Sequence, residues 1–150
     1  IGIYGETDED IMTAPVENVG PTLQDITEDL NKAANKHRKA REDMNNGADI
    51  WAMKRDRYRK EIRAKKVEAD AVKKQRDAFR MNSGGFNYSG GAAASQEKLN
   101  KLYEEMDKLN AAAEEAHNNF VLCKEAADIE HKKFVEVIEK IRQTRDNLSD

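Results

Sequence analysis

A single cysteine, Cys123, in 150 residues excludes an internal disulfide and a thiolate zinc cluster. Both prolines, Pro15 and Pro21, lie near the start, so none interrupts a helix in the remainder of the chain. Aromatic residues make up 6%, too few to fill a thick globular core. No stretch approaches the ~18 consecutive apolar residues of a membrane span. The first residues also lack the basic start and apolar run of a signal peptide. The chain therefore reads as soluble and cytoplasmic, with a reducing surrounding suited to one free thiol.

What is present is charge and period. Charged residues reach 37%, against a usual ~25%, yet the net charge is only -3. Residues 1–20 carry five acidic side chains and no Lys or Arg, with Gly2, Gly5, Pro15 and Gly20 among them. This segment reads as an acidic extended tail. The first methionine is Met12, so residues 1–11 read as added sequence or part of a longer chain. Residues 21–150 read as a coiled-coil hairpin: a helix over 22–81, a linker over 82–94 and a helix over 95–149.

For the first helix, Thr22 is the expected N-cap, with Asp25 three residues on completing a capping-box arrangement. Its seam runs through Leu23, Ile26, Leu30, Ala33, His37, Ala40, Met44, Gly47 and Trp51. Two successive four-residue steps, from Gly47 to Trp51 and from Trp51 to Arg55, then predict a phase shift, after which come Tyr58, Ile62, Lys65, Ala69, Val72, Arg76 and Phe79, like a local unwinding of the supercoil. Gly47 is the weak point, at roughly 1 kcal/mol relative to Ala. The linker contains four glycines, at 84, 85, 90 and 91, and reads like a substitute for a longer tip. The second helix should start at Ser95. Its seam keeps strict three-four spacing from Leu99 through Leu102, Met106, Leu109, Ala113, Ala116, Phe120, Cys123, Ala127, Glu130, Phe134, Val137, Ile141 and Thr144 to Leu148. A straight 3.6-residue helix drifts out of such a register, so sustained spacing implies supercoiling against a partner. Two helices of similar length with a short joint imply an all-α antiparallel hairpin. Val121, Leu122, Ile129 and Ile138 fall off the seam and imply self-association, or a protein partner.

The strongest functional signal is charge asymmetry. Residues 21–81 hold 17 Lys plus Arg against 11 Asp plus Glu, while residues 95–150 hold 9 against 13. The basic excess gathers at Lys54, Arg55, Arg57, Arg59, Lys60, Arg63, Lys65 and Lys66. A dense positive surface on a rigid helix is what phosphate backbones require, because released counterions supply affinity. The candidate contacts to RNA are Lys54, Arg57, Tyr58, Arg59, Lys60, Arg63 and Lys66, with Tyr58 as a stacking platform for a base. The competing reading pairs this run with acidic residues such as Glu114 and Glu115 on the second helix. Catalysis finds no foothold: Cys123 lies on the seam as a small apolar group, and His131 is eight residues away. His117 and His131 are fourteen apart, about 21 Å along a helix, so one metal cannot join them. No cofactor, metal or small-molecule substrate is expected.

Two echoes recur in heptad multiples. Glu115-Ala116-His117-Asn118-Asn119-Phe120-Val121 returns as Glu130-His131-Lys132-Lys133-Phe134-Val135, and Arg41-Glu42 returns as Arg55-Asp56 and Arg76-Asp77. These units, with the segment from Leu30 to Asp43 and Trp51-Ala52-Met53-Lys54-Arg55-Asp56, resemble a family of archaeal coiled-coil proteins with repeated KRDELN-like units. The resemblance covers most of residues 22–149. It implies a non-enzymatic coiled coil, distantly similar to fungal coiled-coil proteins associated with ribosomes and messenger RNA. The family's longer middle section is replaced here by residues 82–94. The chain thus reads as a coiled-coil scaffold or interaction module, associated with RNA or the ribosome through its basic run. The alternative is a self-assembling spacer or protein adaptor that binds no nucleic acid.

Overall fold

The computed structural model describes residues 22–82 and 90–149. Two helices account for nearly all of them: α1, Leu23–Asn82, and α2, Gly91–Ser149. Together they form an all-α helical hairpin. Thr22 caps α1 reciprocally: its hydroxyl accepts from the Asp25 amide at 3.1 Å, and its own amide donates to the Asp25 carboxylate at 3.2 Å. Two groups left without helical partners at the N-terminus are thereby satisfied.

The second helix begins four residues earlier than the Ser95 start expected from sequence. Ala92, Ala93 and Ala94 have the highest helix propensity, and they outweigh the neighbouring glycines. Ser95 is consequently not a cap. It is buried within the helix beside buried Ala92 and Leu99, which extends the seam backwards by two positions. The acidic tail and residues 83–89 lie outside the described residues.

The chain divides into two compact units. In one, Asn45–Lys124, the pairing is antiparallel: as α1 advances from Asn45 through Arg55 and Lys65 to Arg76, its partners on α2 retreat from Lys124 through His117 and Glu105 to Gln96. Ala69, Val72, Leu99 and Leu102 form its most tightly buried cluster. In the other unit, residues 22–44 with 125–149, Ala34, Ala127 and Ile141 are buried. There His37 and Glu130, both polar seam positions, meet at 2.7 Å. Polar groups that satisfy each other inside a seam penalise shifted registers, because a slip would leave both against apolar neighbours.

The burial pattern removes the phase shift expected near Arg55. Ala34 and Ala48 are buried, at 4% and 0% exposure, whereas Ala33 and Gly47 are only half-buried. One column, Leu23 to Phe79 in steps of seven, therefore continues through α1. The second column runs through Ala34, Ala48, Arg55, Ile62, Ala69 and Arg76. The sequence reading placed it one residue early because the small residues at 33/34 and 47/48 are equally acceptable to a seam. The α2 seam is half-buried or buried from Leu99 to Thr144, as its spacing predicts, and only Leu148 at the end is exposed. Of the off-seam apolar residues, Val121 and Ile138 are half-buried, while Leu122 and Ile129 are exposed.

Candidate nucleic-acid interface

The helix period sorts the basic run into distinct faces. Lys54 lies over the Trp51 ring, its Nζ 4.6 Å from the ring centroid, so its charge is already partnered by a π-face. Tyr58 occupies the seam column and is half-buried. It is therefore not the free stacking platform expected from sequence. Lys65, also on the seam column, reaches across to Glu105 at 2.6 Å. That hydrogen bond is the main cause that raises the Lys65 pKa above, and lowers the Glu105 pKa below, their ordinary values.

The remaining candidates are exposed: Arg57, Arg59, Lys60, Arg63 and Lys66. None of the five makes an ion pair among the described residues. The pairing of this run with Glu114 and Glu115 considered from sequence does not form. Lys65–Glu105 is the ion pair that crosses from it. Arg57 and Lys60 lie on the face away from α2. Arg59 and Lys66 lie on the flank that borders α2, and Arg63 stands one turn from each.

The flank can be followed by register. Lys124 Nζ donates to Asn45 Oδ1 at 3.4 Å. Steps of seven from Asn45 lead to Ala52, Arg59, Lys66, Lys73 and Arg80; steps of seven back from Lys124 lead to His117, Asn110, Tyr103 and Gln96. The register that sets Asn45 beside Lys124 therefore sets Lys66 beside Tyr103 and Lys73 beside Gln96. Tyr103 is 45% exposed. Sequence reasoning missed it because the apolar spacing of α2 alone does not say which side of the hairpin a flanking residue shares. Its signal was the fourteen-residue interval to His117, visible only once the antiparallel register is known. Successive cations in the row lie about 10.5 Å apart along the axis.

Arginine clamps hold the same side. Arg55 Nε donates to Asp56 at 3.1 Å, Nη1 meets His117 Nδ1 at 3.1 Å, and the guanidinium lies 5.0 Å from the Phe120 ring centroid. Arginine can only donate, so His117 Nδ1 accepts. Twenty-one residues on, Arg76 repeats the arrangement, bonding Asp77 at 3.0 and 3.1 Å and Gln96 at 2.7 Å. The two sequence echoes meet at Arg55, whose Arg-acid pair on α1 faces His117 on α2, whereas at Arg76 the same kind of pair faces Gln96, which belongs to neither echo. These clamps occupy the carboxylates of Asp56 and Asp77, which lie next to the cationic row. The third copy differs. His131 stacks on Phe134 as His117 does on Phe120, but Arg41 is exposed. His131 Nδ1 is buried without a hydrogen-bond partner among the described residues.

Carboxylate and histidine stand three apart at Glu114/His117 and at Asp128/His131, a spacing used by di-iron helices. The two sets lie on one helix about 21 Å apart, and His117 is engaged by Arg55. Among the described residues no three His, Cys, Asp or Glu side chains gather as a metal site. No described helix is long and apolar enough to cross a membrane. No protein-family model, curated protein or solved structure matches the chain.

Proposed function

We propose that the protein is a non-enzymatic coiled-coil interaction module that binds single-stranded RNA along the flank of α1. The supporting observation is the heptad-spaced row of Arg59, Lys66 and Lys73, exposed and free of ion pairs among the described residues, which the helix register sets beside the exposed ring of Tyr103. The cations meet phosphates and the ring stacks a base, the combination that serves sequence-tolerant single-strand binding. The resemblance to coiled-coil proteins that accompany ribosomes and messenger RNA points to the same class of partner.

The test is fluorescence anisotropy of a labelled single-stranded RNA oligonucleotide with the full chain. Three phosphate contacts predict a loss of about 20-fold in affinity between roughly 50 and 200 mM salt. Replacing Arg59, Arg63 and Lys66 by Glu should abolish binding while helicity stays intact, since all three side chains are exposed. Binding that survives this change, or that ignores salt, rejects the reading. A second reading, a self-assembling spacer, draws support from a different face of α1.

A further inference from the structure

The face of α1 turned away from α2 carries a second three-four stripe. Ile50, Met53, Val67 and Met81 lie on it, exposed at 55, 65, 70 and 80%. Ala64, Ala71 and Ala78 fill intervening positions, and Arg57, Lys60 and Lys74 complete it. No acidic residue interrupts it. A solvated outer face has no reason to repeat apolar and small residues every three and four positions. Such a repeat is what a second helix–helix contact requires.

The outward face of α2 has the complementary character. Glu97, Glu104, Asp107 and Glu114 recur along it at helical spacing, all exposed, with Ala111 and half-buried Val121 between and beyond them. No basic residue falls on the stripe from Glu97 through Glu104, Asp107, Ala111 and Glu114 to Val121, while exposed Lys101 and Lys108 border it on one side, so the face as a whole carries more acidic than basic side chains. We infer that the outward face of α1 in one copy docks on the outward face of α2 in a second copy, within the span Asn45–Lys124. If the second copy keeps the antiparallel register of the hairpin itself, Arg57 falls opposite Glu114 and Lys74 opposite Glu97. Lys60 then sits against Ala111, between Asp107 and Glu114, and Ile50 meets Val121. The alternative pairing of α1 with α1 brings Arg57, Lys60 and Lys74 together with their own kind and costs repulsion instead. The two faces are different surfaces on opposite sides of the molecule, so the contact is head-to-tail and one copy can accept a neighbour on each side.

This assembly does not rest on RNA binding, because it uses Arg57, Lys60 and Lys74 and leaves Arg59, Lys66 and Tyr103 on their flank. The test is sedimentation velocity of the full chain across a concentration series. The wild type should associate. The double variant Arg57→Glu/Lys74→Glu and the double variant Glu97→Lys/Glu114→Lys should each dissociate, with the association constant reduced roughly tenfold or more. An equimolar mixture of the two should regain wild-type association, because each altered face again meets its opposite. Circular dichroism checks that all three proteins remain equally helical, as exposed substitutions should. A monomeric wild type, variants that associate unchanged, or a mixture that stays dissociated would each overturn the proposal. Tyr103→Ala, which alters neither docking face, should leave association unchanged while it weakens RNA binding, and this separates the outcome of the assembly from that of the RNA reading.

Discussion

Replacing Gly47 by alanine should make the protein more stable. Gly47 lies inside α1 with ordinary helical geometry, where glycine costs about 0.8–1 kcal/mol relative to alanine through its greater freedom in the unfolded chain. The gain is realised only if a methyl group fits, and here packing decides the sign. A Cβ at position 47 meets Cys123 Sγ at 3.5 Å and no other neighbour more closely, an ordinary van der Waals contact. The expected result is about 1 kcal/mol of added stability, or a rise in Tm of about 2–4 °C for a chain of this size. Gly91 supplies the contrast. A Cβ there would lie 2.7–3.0 Å from three atoms of the Phe79 ring, so the ring must move. Its place at the first residue of α2 also yields less of the propensity gain. Gly91→Ala should therefore be neutral or destabilising. Urea unfolding of both variants beside the wild type reads the two signs. A Gly47→Ala protein that is less stable would mean that the helices approach more closely at Cys123 than 3.5 Å, and would refute the packing at this level.

Three further outcomes follow from the same contacts. Leu99→Ala, at 1% exposure beside Ala69, Val72 and Leu102, should cost about 2–5 kcal/mol, measured by urea denaturation; a loss below 1 kcal/mol would argue that this cluster is not packed. The hydrogen bond from His37 holds the Glu130 carboxyl below its ordinary pKa. A carboxylate lowered on folding stabilises above its unfolded pKa, and that contribution disappears as pH falls through the folded value. The wild type should exceed Glu130→Gln in stability at neutrality and lose that advantage progressively on acidification below the ordinary glutamate value of about 4.3, whereas a pH-independent gap would exclude the linkage. Tyr103→Ala should weaken binding of single-stranded RNA by about 1–3 kcal/mol and Tyr58→Phe should leave it unchanged, both read by anisotropy; equal effects would remove Tyr103 from the contact.

The echoes show how far linear pattern reaches. Arg41-Glu42, Arg55-Asp56 and Arg76-Asp77 are equivalent as strings, as are the two His-x-x-Phe-Val units. In the structure Arg55 finds His117 and Arg76 finds Gln96, while Arg41 is exposed and His131 Nδ1 has no hydrogen-bond partner among the described residues. A heptad interval guarantees the same azimuth on one helix. It does not guarantee the same neighbour on the other, because that depends on what the antiparallel strand of side chains presents at each level. Tyr58 and Tyr103 make the same point: one tyrosine inside the basic run is drawn into the seam, and one remote in sequence is brought beside the exposed cations.

By itself the sequence determined the two long helices, the reciprocal Thr22–Asp25 cap and the α2 seam from Leu99 onward. These depend on spacing within one helix and on groups a few residues apart, so local chemistry suffices. Only the tertiary structure decided that Ala34 and Ala48 rather than Ala33 and Gly47 complete the α1 seam, and that Ser95 is buried rather than capping. It also decided that Lys66 shares a flank with Tyr103 while Arg57 faces outward. Small residues at adjacent positions fit a seam equally well until a partner helix fixes the rotation, and side chains on separate helices become neighbours only through the register between them.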